Sequence, residues 1–363
     1  MTRTSDTTAS GTDSAPAPAA APVDPTLSAG ENRLAVLDGW RALCILLVIG
    51  GHLLPFDAII PGSNEAFGAG GMAIFFVLSG FLITRFLFER PEPYPFLVRR
   101  ILRIVPLAWL AMIILYFAEG SARSEAELGA NLLFFSNLPP AQLLDAGGHL
   151  WSLCIEAQFY LAAALIVALL GRKGLYLLPI MGLLVTALRI HDGETISIVT
   201  WHRVDEILAG AMVALIYLGA FGPRAVKLFS GINFYVAAAI AIACTYFIYT
   251  PLAYARPYAI AMVVGVTLWH APVWAKYLLC SKPAAYIAKI SYALYVFHVM
   301  LDHTWLGSGE LLEKYLKRPL LFAATFALAH VSTYYFEQRF INLAKRLTPR
   351  APTPAVVTTK PTT

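Results

Sequence analysis

Apolar runs of about the length of a membrane crossing, joined by short polar connections, dominate this chain. A helical crossing needs about 20 apolar residues, and about ten stretches qualify: 34–54, 68–88, 104–118, 149–170, 174–190, 202–220, 231–250, 257–275, 285–303 and 318–338. A backbone in lipid must satisfy its hydrogen bonds within the segment, so each stretch predicts an α-helix. The third and fifth are short, which predicts tilt, a kink or extension by neighbouring residues. The pattern as a whole predicts an all-α polytopic membrane protein with about ten transmembrane helices over residues 33–345. The longest connection, 119–148, carries Leu132-Leu133-Phe134-Phe135 ahead of Pro139-Pro140 and predicts an outer interfacial element. Residues 1–32 and 346–363 have no such apolar run; rich in Thr, Ser, Ala and Pro, they predict disordered cytoplasmic tails. No internal repeat and no separate soluble domain is visible.

Composition sharpens this picture. The chain is 58% hydrophobic and 13% charged, where a soluble protein would carry about 25% charged residues. Its net charge of +5 does not point to nucleic acid, because no basic patch is interleaved with aromatics on a polar surface. The charge follows the membrane instead: with the N-terminus cytoplasmic, most of the 27 Lys and Arg fall on the inner side of the ten predicted helices. That asymmetry predicts both termini inside. Cys44, Cys154, Cys244 and Cys280 are scattered without C-x-x-C spacing, so they read as packing residues and not as a disulfide framework or zinc site.

Candidate chemistry begins on the first predicted helix, where Asp38, Arg41 and His52 occupy an apolar segment in which charge is expensive. Arg41 and His52 return to nearly the same helical face about 16 Å apart. Histidine is the side chain best suited to take a proton from a hydroxyl near neutral pH, although a snorkelling Arg41 and a helix-capping His52 also fit. Arg100 and Arg103 share a face and suit phosphate clamping or positive-inside anchoring equally. Glu156, about 10 Å below the outer end of the fourth helix, lies at a depth near that of His52. It suits a carboxylate that orients an imidazole, or a structural partner for an Arg. Trp151 precedes it, and Trp201-His202-Arg203-Val204-Asp205 opens the sixth helix, where Arg203 and Asp205 suit either a hydroxylated substrate or an ion pair within an aromatic belt. Tyr292, Tyr295 and His298 step by three along one face of the ninth helix and predict a polar stripe facing a cavity. Gly68-Ala69-Gly70-Gly71 and Ser79-Gly80 predict close helix packing or close ligand approach. His270, His303 and His330 have no supporting pattern. No G-x-S-x-G elbow, phosphate loop, H-E-x-x-H or acidic metal cluster occurs, which leaves His-assisted group transfer without a metal as the natural candidate.

Six motifs in order resemble the acyltransferase-3 family of integral-membrane acyltransferases. They are Leu37-Asp38-Gly39-Trp40-Arg41 with Gly51-His52; Phe75-Phe76-Val77-Leu78-Ser79-Gly80-Phe81; Arg99-Arg100-Ile101-Leu102-Arg103; His149-Leu150-Trp151-Ser152-Leu153 with Glu156; Arg203 with Asp205; and Ser291-Tyr292 with Tyr295 and His298. The resemblance implies a ten-helix core that passes an acyl group, commonly acetyl from cytoplasmic acetyl-CoA, to a hydroxyl, often on an outward-facing envelope carbohydrate or glycolipid. It also implies a bacterial cell membrane as the location of the chain. It implies His52 as the essential histidine, with Arg41, Arg100 and Arg103 toward the CoA donor; beside it, the residues themselves suggest Glu156 as the carboxylate that assists His52, and Trp151, Arg203, Asp205, Tyr295 and His298 toward the acceptor. Where the family often reads Ser-Val-Glu-Glu-Gln, this chain has Cys154-Ile155-Glu156-Ala157-Gln158, leaving Glu156 as the one carboxylate. Some members carry an added extracytoplasmic esterase-like domain; its absence from this sequence predicts that the chain completes the transfer itself or uses a partner. Membrane lipid and a second copy of the chain in a homodimer complete the expected partners, and nucleic acid is not among them. Acylation of a secondary metabolite such as a macrolide, and a transporter or flippase for a glycosylated substrate, are the rival readings.

Overall fold

The computed structural model describes residues 29–119 and 124–349, and each predicted stretch contains helix. The elements are α1 (Ala29–Leu53), α2 (Ser63–Glu89), α3 (Pro93–Glu119), α4 (Glu125–Leu132), α5 (Trp151–Leu170), α6 (Leu177–Asp192), α7 (Asp205–Tyr217), α8 (Gly222–Ser230), α9 (Phe234–Tyr246), α10 (Arg256–Val266), α11 (Val273–Leu279), α12 (Lys282–Asp302), α13 (Leu311–Val331) and α14 (Gln338–Leu347). A π-helical segment, Ser332–Glu337, joins the last two, and no strand occurs among the described residues.

Six helical segments among the described residues are long and apolar enough to cross a membrane, or seven if α7 and α8, bent by 113°, count as one crossing. One of the six, Gly148–Asp192, holds both α5 and α6, which part at Gly171 with φ of 61°. The apolar stretches at 231–250 and 257–275 yield shorter helices of 13 and 11 residues, α9 and α10. The second of these stops at Val266, and the chain re-enters helix only after Pro272, whose ring fits the turn ahead of α11. In contrast, α3 starts eleven residues before its apolar stretch, so Arg99, Arg100 and Arg103 lie within the helix. The tails expected at 1–32 and 346–363 fall largely outside the described residues, as does Arg123. However, α14 runs to Leu347 and Arg99 donates to the Thr348 hydroxyl (2.8 Å) and carbonyl (2.6 Å), so 346–348 belong to the folded bundle and not to the tail.

Helix α2 sits between α1 and α7 because small residues let backbones touch, as helices in lipid require. A Cβ on Gly71 would stand 2.7 Å from the Cys44 carbonyl of α1. On the other side, a Cβ on Gly80 would stand 1.8 Å from the Ile207 carbonyl, and one on Gly210 2.0 Å from that of Val77. Two apolar cores grow from this centre. One gathers Ile45 and Phe76 with side chains of α3, α5 and α12; the other gathers Trp40 and Val77 with those of α9 and α10. The Gly39-Trp40-Arg41 sequence divides its labour accordingly. Gly39 lies against Leu279 of α11, and the Trp40 indole donates to Thr267 (2.9 Å). At the far end of α1, the Asn64 amide donates to the carbonyls of Gly51 and Leu54, both at 2.5 Å, fixing the turn beside His52.

Because the contact at Gly210 is with backbone, Gly210→Val leaves no side chain to yield and should abolish recovery of monodisperse protein. Gly68→Ala, where nothing lies within 4 Å, should express and melt as the wild type; a well-folded Gly210→Val would refute this account of the α2–α7 contact.

Candidate active site

Side chains from five helices converge on one narrow cavity. It is lined by Arg41, Ile45 and Val48 of α1, Phe75 of α2, Arg100 and Arg103 of α3, Glu156 and Tyr160 of α5, and Ser291, Tyr292 and Tyr295 of α12. The spacing along α1 and α12 is that of a single helical face. The cavity holds about 60 Å³ of room for water, enough for a few molecules or a slender chain.

Arg100 and Arg103 also line a second, wider space of about 690 Å³, together with Phe86, Phe96, Arg99, Ile341, Ala344, Lys345 and Thr348. The two arginines therefore stand between an open basic vestibule, roofed by α14, and the narrow cavity. The Arg100 guanidinium lies 5.8 Å from the Phe96 ring and 5.4 Å from the Tyr160 ring, which restrains it without consuming its charge.

Glu156 is buried in the cavity wall, where its carboxylate accepts from the Ser79 hydroxyl (2.5 Å) and from the Tyr160 hydroxyl. Glu156 thus meets two hydroxyls, and the imidazole of His52 has a different partner. Tyr160 is one turn along the same helix, so its part was readable from the i, i+4 spacing. Ser79, 77 residues away, was not.

One turn beyond the cavity, the rows of α1 and α12 end in His52 and His298. His52 Nδ1 lies 3.0 Å from His298 Nε2. His52 is exposed, whereas His298 is completely buried, with Nδ1 2.7 Å from the Tyr295 carbonyl. His298 therefore lies behind His52 and does not reach open space as an acceptor contact would. His149 packs edge-on against it, with ring centroids 5.1 Å apart. The Tyr295 hydroxyl donates to the His149 carbonyl, is joined at 2.6 Å by Ser152, and its ring stacks with Phe75 at 6.4 Å.

Arg203 and Asp205 are also not at an open rim. Asp205 is paired with Arg189 at 2.5 Å, both wholly buried, and Glu206 pairs with Arg256 (2.9 Å) and Arg203 (3.4 Å). Arg189 further donates to the carbonyls of Glu194 (3.2 Å) and Thr195 (2.7 Å). The structure does bring Arg203 to Trp151, 5.4 Å from the ring. This group of charges ties the ends of α6, α7 and α10 together in the buried interior, where an unpartnered charge would be costly.

The sequence matches the acyltransferase-3 family, described as an acyltransferase domain, over residues 34–337. The chain belongs to the acyltransferase-3 family. Among its relatives, the peptidoglycan O-acetyltransferase OatA of Listeria monocytogenes is 27% identical over 85% of this chain and 57% of its own length. The O-acetyltransferase OatA of Staphylococcus aureus is 26% identical over 72% of this chain and 49% of its own. The chain thus spans about half the length of the curated relatives it matches. No solved structure matches it. The family match ends at Glu337, so α14, with the Lys345 and Thr348 that line the vestibule, lies beyond it.

Within this acyltransferase-3 fold, the Arg189–Asp205 pair should act as a brace. Asp205→Ala, which strands a buried guanidinium, should cost about 3–5 kcal/mol. Arg189→Met with Asp205→Leu should recover most of the lost melting temperature. A stable Asp205→Ala that has lost only acceptor affinity would assign the carboxylate to substrate instead.

Proposed function

We propose that this chain is a multi-pass O-acyltransferase of the bacterial cell membrane. It takes an acetyl group from acetyl-CoA on the cytoplasmic side and delivers it to a hydroxyl of an envelope carbohydrate or glycolipid. The observation that carries this reading is that Arg100 and Arg103 line both cavities, while His52 lies one turn beyond the narrow one on the face of α1 that Arg41, Ile45 and Val48 share. Family membership and relatives named as peptidoglycan O-acetyltransferases favour the same reaction class and a carbohydrate acceptor. Both termini and the vestibule belong on the cytoplasmic side of a ten-crossing arrangement, in keeping with the bias of Lys and Arg toward that side.

The donor fits by chemistry and by shape. A nucleotide bearing several phosphates matches a vestibule of guanidinium and ammonium groups, where Arg supplies paired donors. A thin pantetheine arm matches the narrow cavity, past Arg41 and Glu156. At the far end, His52 takes the proton of the acceptor hydroxyl, and the oxygen forms a C–O bond to the thioester carbonyl. The C–S bond breaks, and the proton passes from the imidazolium to the departing thiolate. The net change is an ester and free CoA from an alcohol and a thioester, with no redox partner. A positioned base contributes about 10²- to 10⁴-fold to such a step.

Purified protein incubated with radiolabelled acetyl-CoA and N-acetylated glucosamine oligosaccharides should yield labelled ester, and His52→Ala should reduce it to background. Loss of no activity in His52→Ala would overturn the assignment of the base, and glycan transport persisting in that variant would favour a carrier. Arg103→Ala should raise KM for acetyl-CoA while leaving acceptor affinity largely intact; an unchanged KM would remove the donor clamp.

A further inference from the structure

We propose that His298 is a positioning residue that fixes the tautomer of His52, so that Nε2 of His52 is the nitrogen presented to the substrate hydroxyl. The inference rests on the reading above, in which His52 is the base.

The argument starts at a carbonyl, which can only accept. His298 Nδ1 lies 2.7 Å from the Tyr295 carbonyl of its own helix, so that nitrogen carries a proton. In the neutral ring, Nε2 of His298 is then a bare acceptor. His52 Nδ1, 3.0 Å away, must be the donor in this contact. Its own Nε2 is left with a free lone pair on the flank of the ring turned away from His298. A histidine's reactive nitrogen is set by the hydrogen bond the other nitrogen makes, and here that bond runs to a second histidine. With the proton on Nε2 instead, His52 would offer a hydroxyl no base.

The arrangement is held from behind. His298 is completely buried, and its ring packs against His149 and Tyr295. His149 Nε2 is 3.2 Å from the Val296 carbonyl, which anchors that ring to the same helix. Tyr295, which supplies the first carbonyl, is itself pinned by Ser152 and by the His149 carbonyl. The chain of orientation therefore runs from the α12 backbone through His298 to His52, without a carboxylate.

The test uses the full chain in lipid nanodiscs with acetyl-CoA and N-acetylated glucosamine oligosaccharides. His298→Leu should lower kcat by at least about 10-fold, and by up to about 10⁴-fold if His52 is left in the wrong tautomer, with KM for acetyl-CoA unchanged. His298→Gln, which can offer an amide oxygen at the same place, should restore much of the rate. In the wild type, solid-state NMR of ¹⁵N-histidine-labelled protein should show the His52 signal, identified by its loss in His52→Ala, with the proton on Nδ1. Wild-type kcat in His298→Leu, beside an inactive His52→Ala, would overturn this proposal and leave the acyltransferase reading standing. Full activity in His52→Ala would overturn the assignment of His52 as the base, and absence of labelled ester with the wild type would overturn the acyltransferase reading. A His52 protonated on Nε2 in the wild type would overturn the proposal whatever the rates, and so decides the matter even if His298→Leu does not fold.

Discussion

Everything in this protein hangs on the contact of α2 with the helices on either side of it. Lipid offers helices little hydrophobic reward for associating, so their packing depends on how closely the backbones approach. Gly71 brings α2 against α1, while Gly80 and Gly210 bring it against α7. These approaches set two distances at once. Toward α5, Ser79 comes within reach of Glu156, and toward α12 the α1 helix presents His52 to His298. A side chain larger than hydrogen at the crossings would separate the groups on which any chemistry depends, without touching one of them.

The bundle disposes of its buried charge in two different ways. In the α6–α7–α10 region, three arginines and two carboxylates are closed against each other, with Asp205 and Glu206 wholly buried. Such a group braces helices from within a closed interior, even though Arg203 Nη1 and both Arg256 Nη atoms make no hydrogen bond there. In the cavity, Arg41 makes one long contact with Asp38 at 3.5 Å, and Arg100 is restrained only by aromatic faces. Charges kept in place but not neutralised are what a polyanionic ligand needs.

Hydrophobic periodicity revealed the helices because lipid forces backbone hydrogen bonds into the local segment, and a run of apolar residues then has one solution. It was silent about breaks such as that between α7 and α8, where Gly219 and Gly222 adopt φ of 70° and 82° in a turn that an apolar average smooths over. The site was legible to the same degree. Spacing put Arg41 with His52, and Tyr292 and Tyr295 with His298, on common faces, since a face is a local property. Which helix a face meets is not local: the partners of Glu156 and His52 lie 77 and 246 residues away in sequence. The burial of Arg203 and Asp205 escaped the sequence for the same reason, because Arg189 reaches Asp205, and Arg256 reaches Glu206, only once α6, α7 and α10 pack.

The stacked rings of Phe75 and Tyr295 carry a consequence of a different kind. A file of polar groups running along a helix bundle is, electrically, a candidate leak, since water that fills it can conduct protons down the membrane potential at about 2.3 kcal/mol per charge per 100 mV. These two rings lie nearly parallel with centroids 6.4 Å apart, and both line the narrow cavity. With room for only a few waters and apolar ring faces in its wall, the narrow cavity leaves little space for a continuous water file. Two aromatic side chains can in this way limit the water beside a row of polar groups without touching a charge themselves.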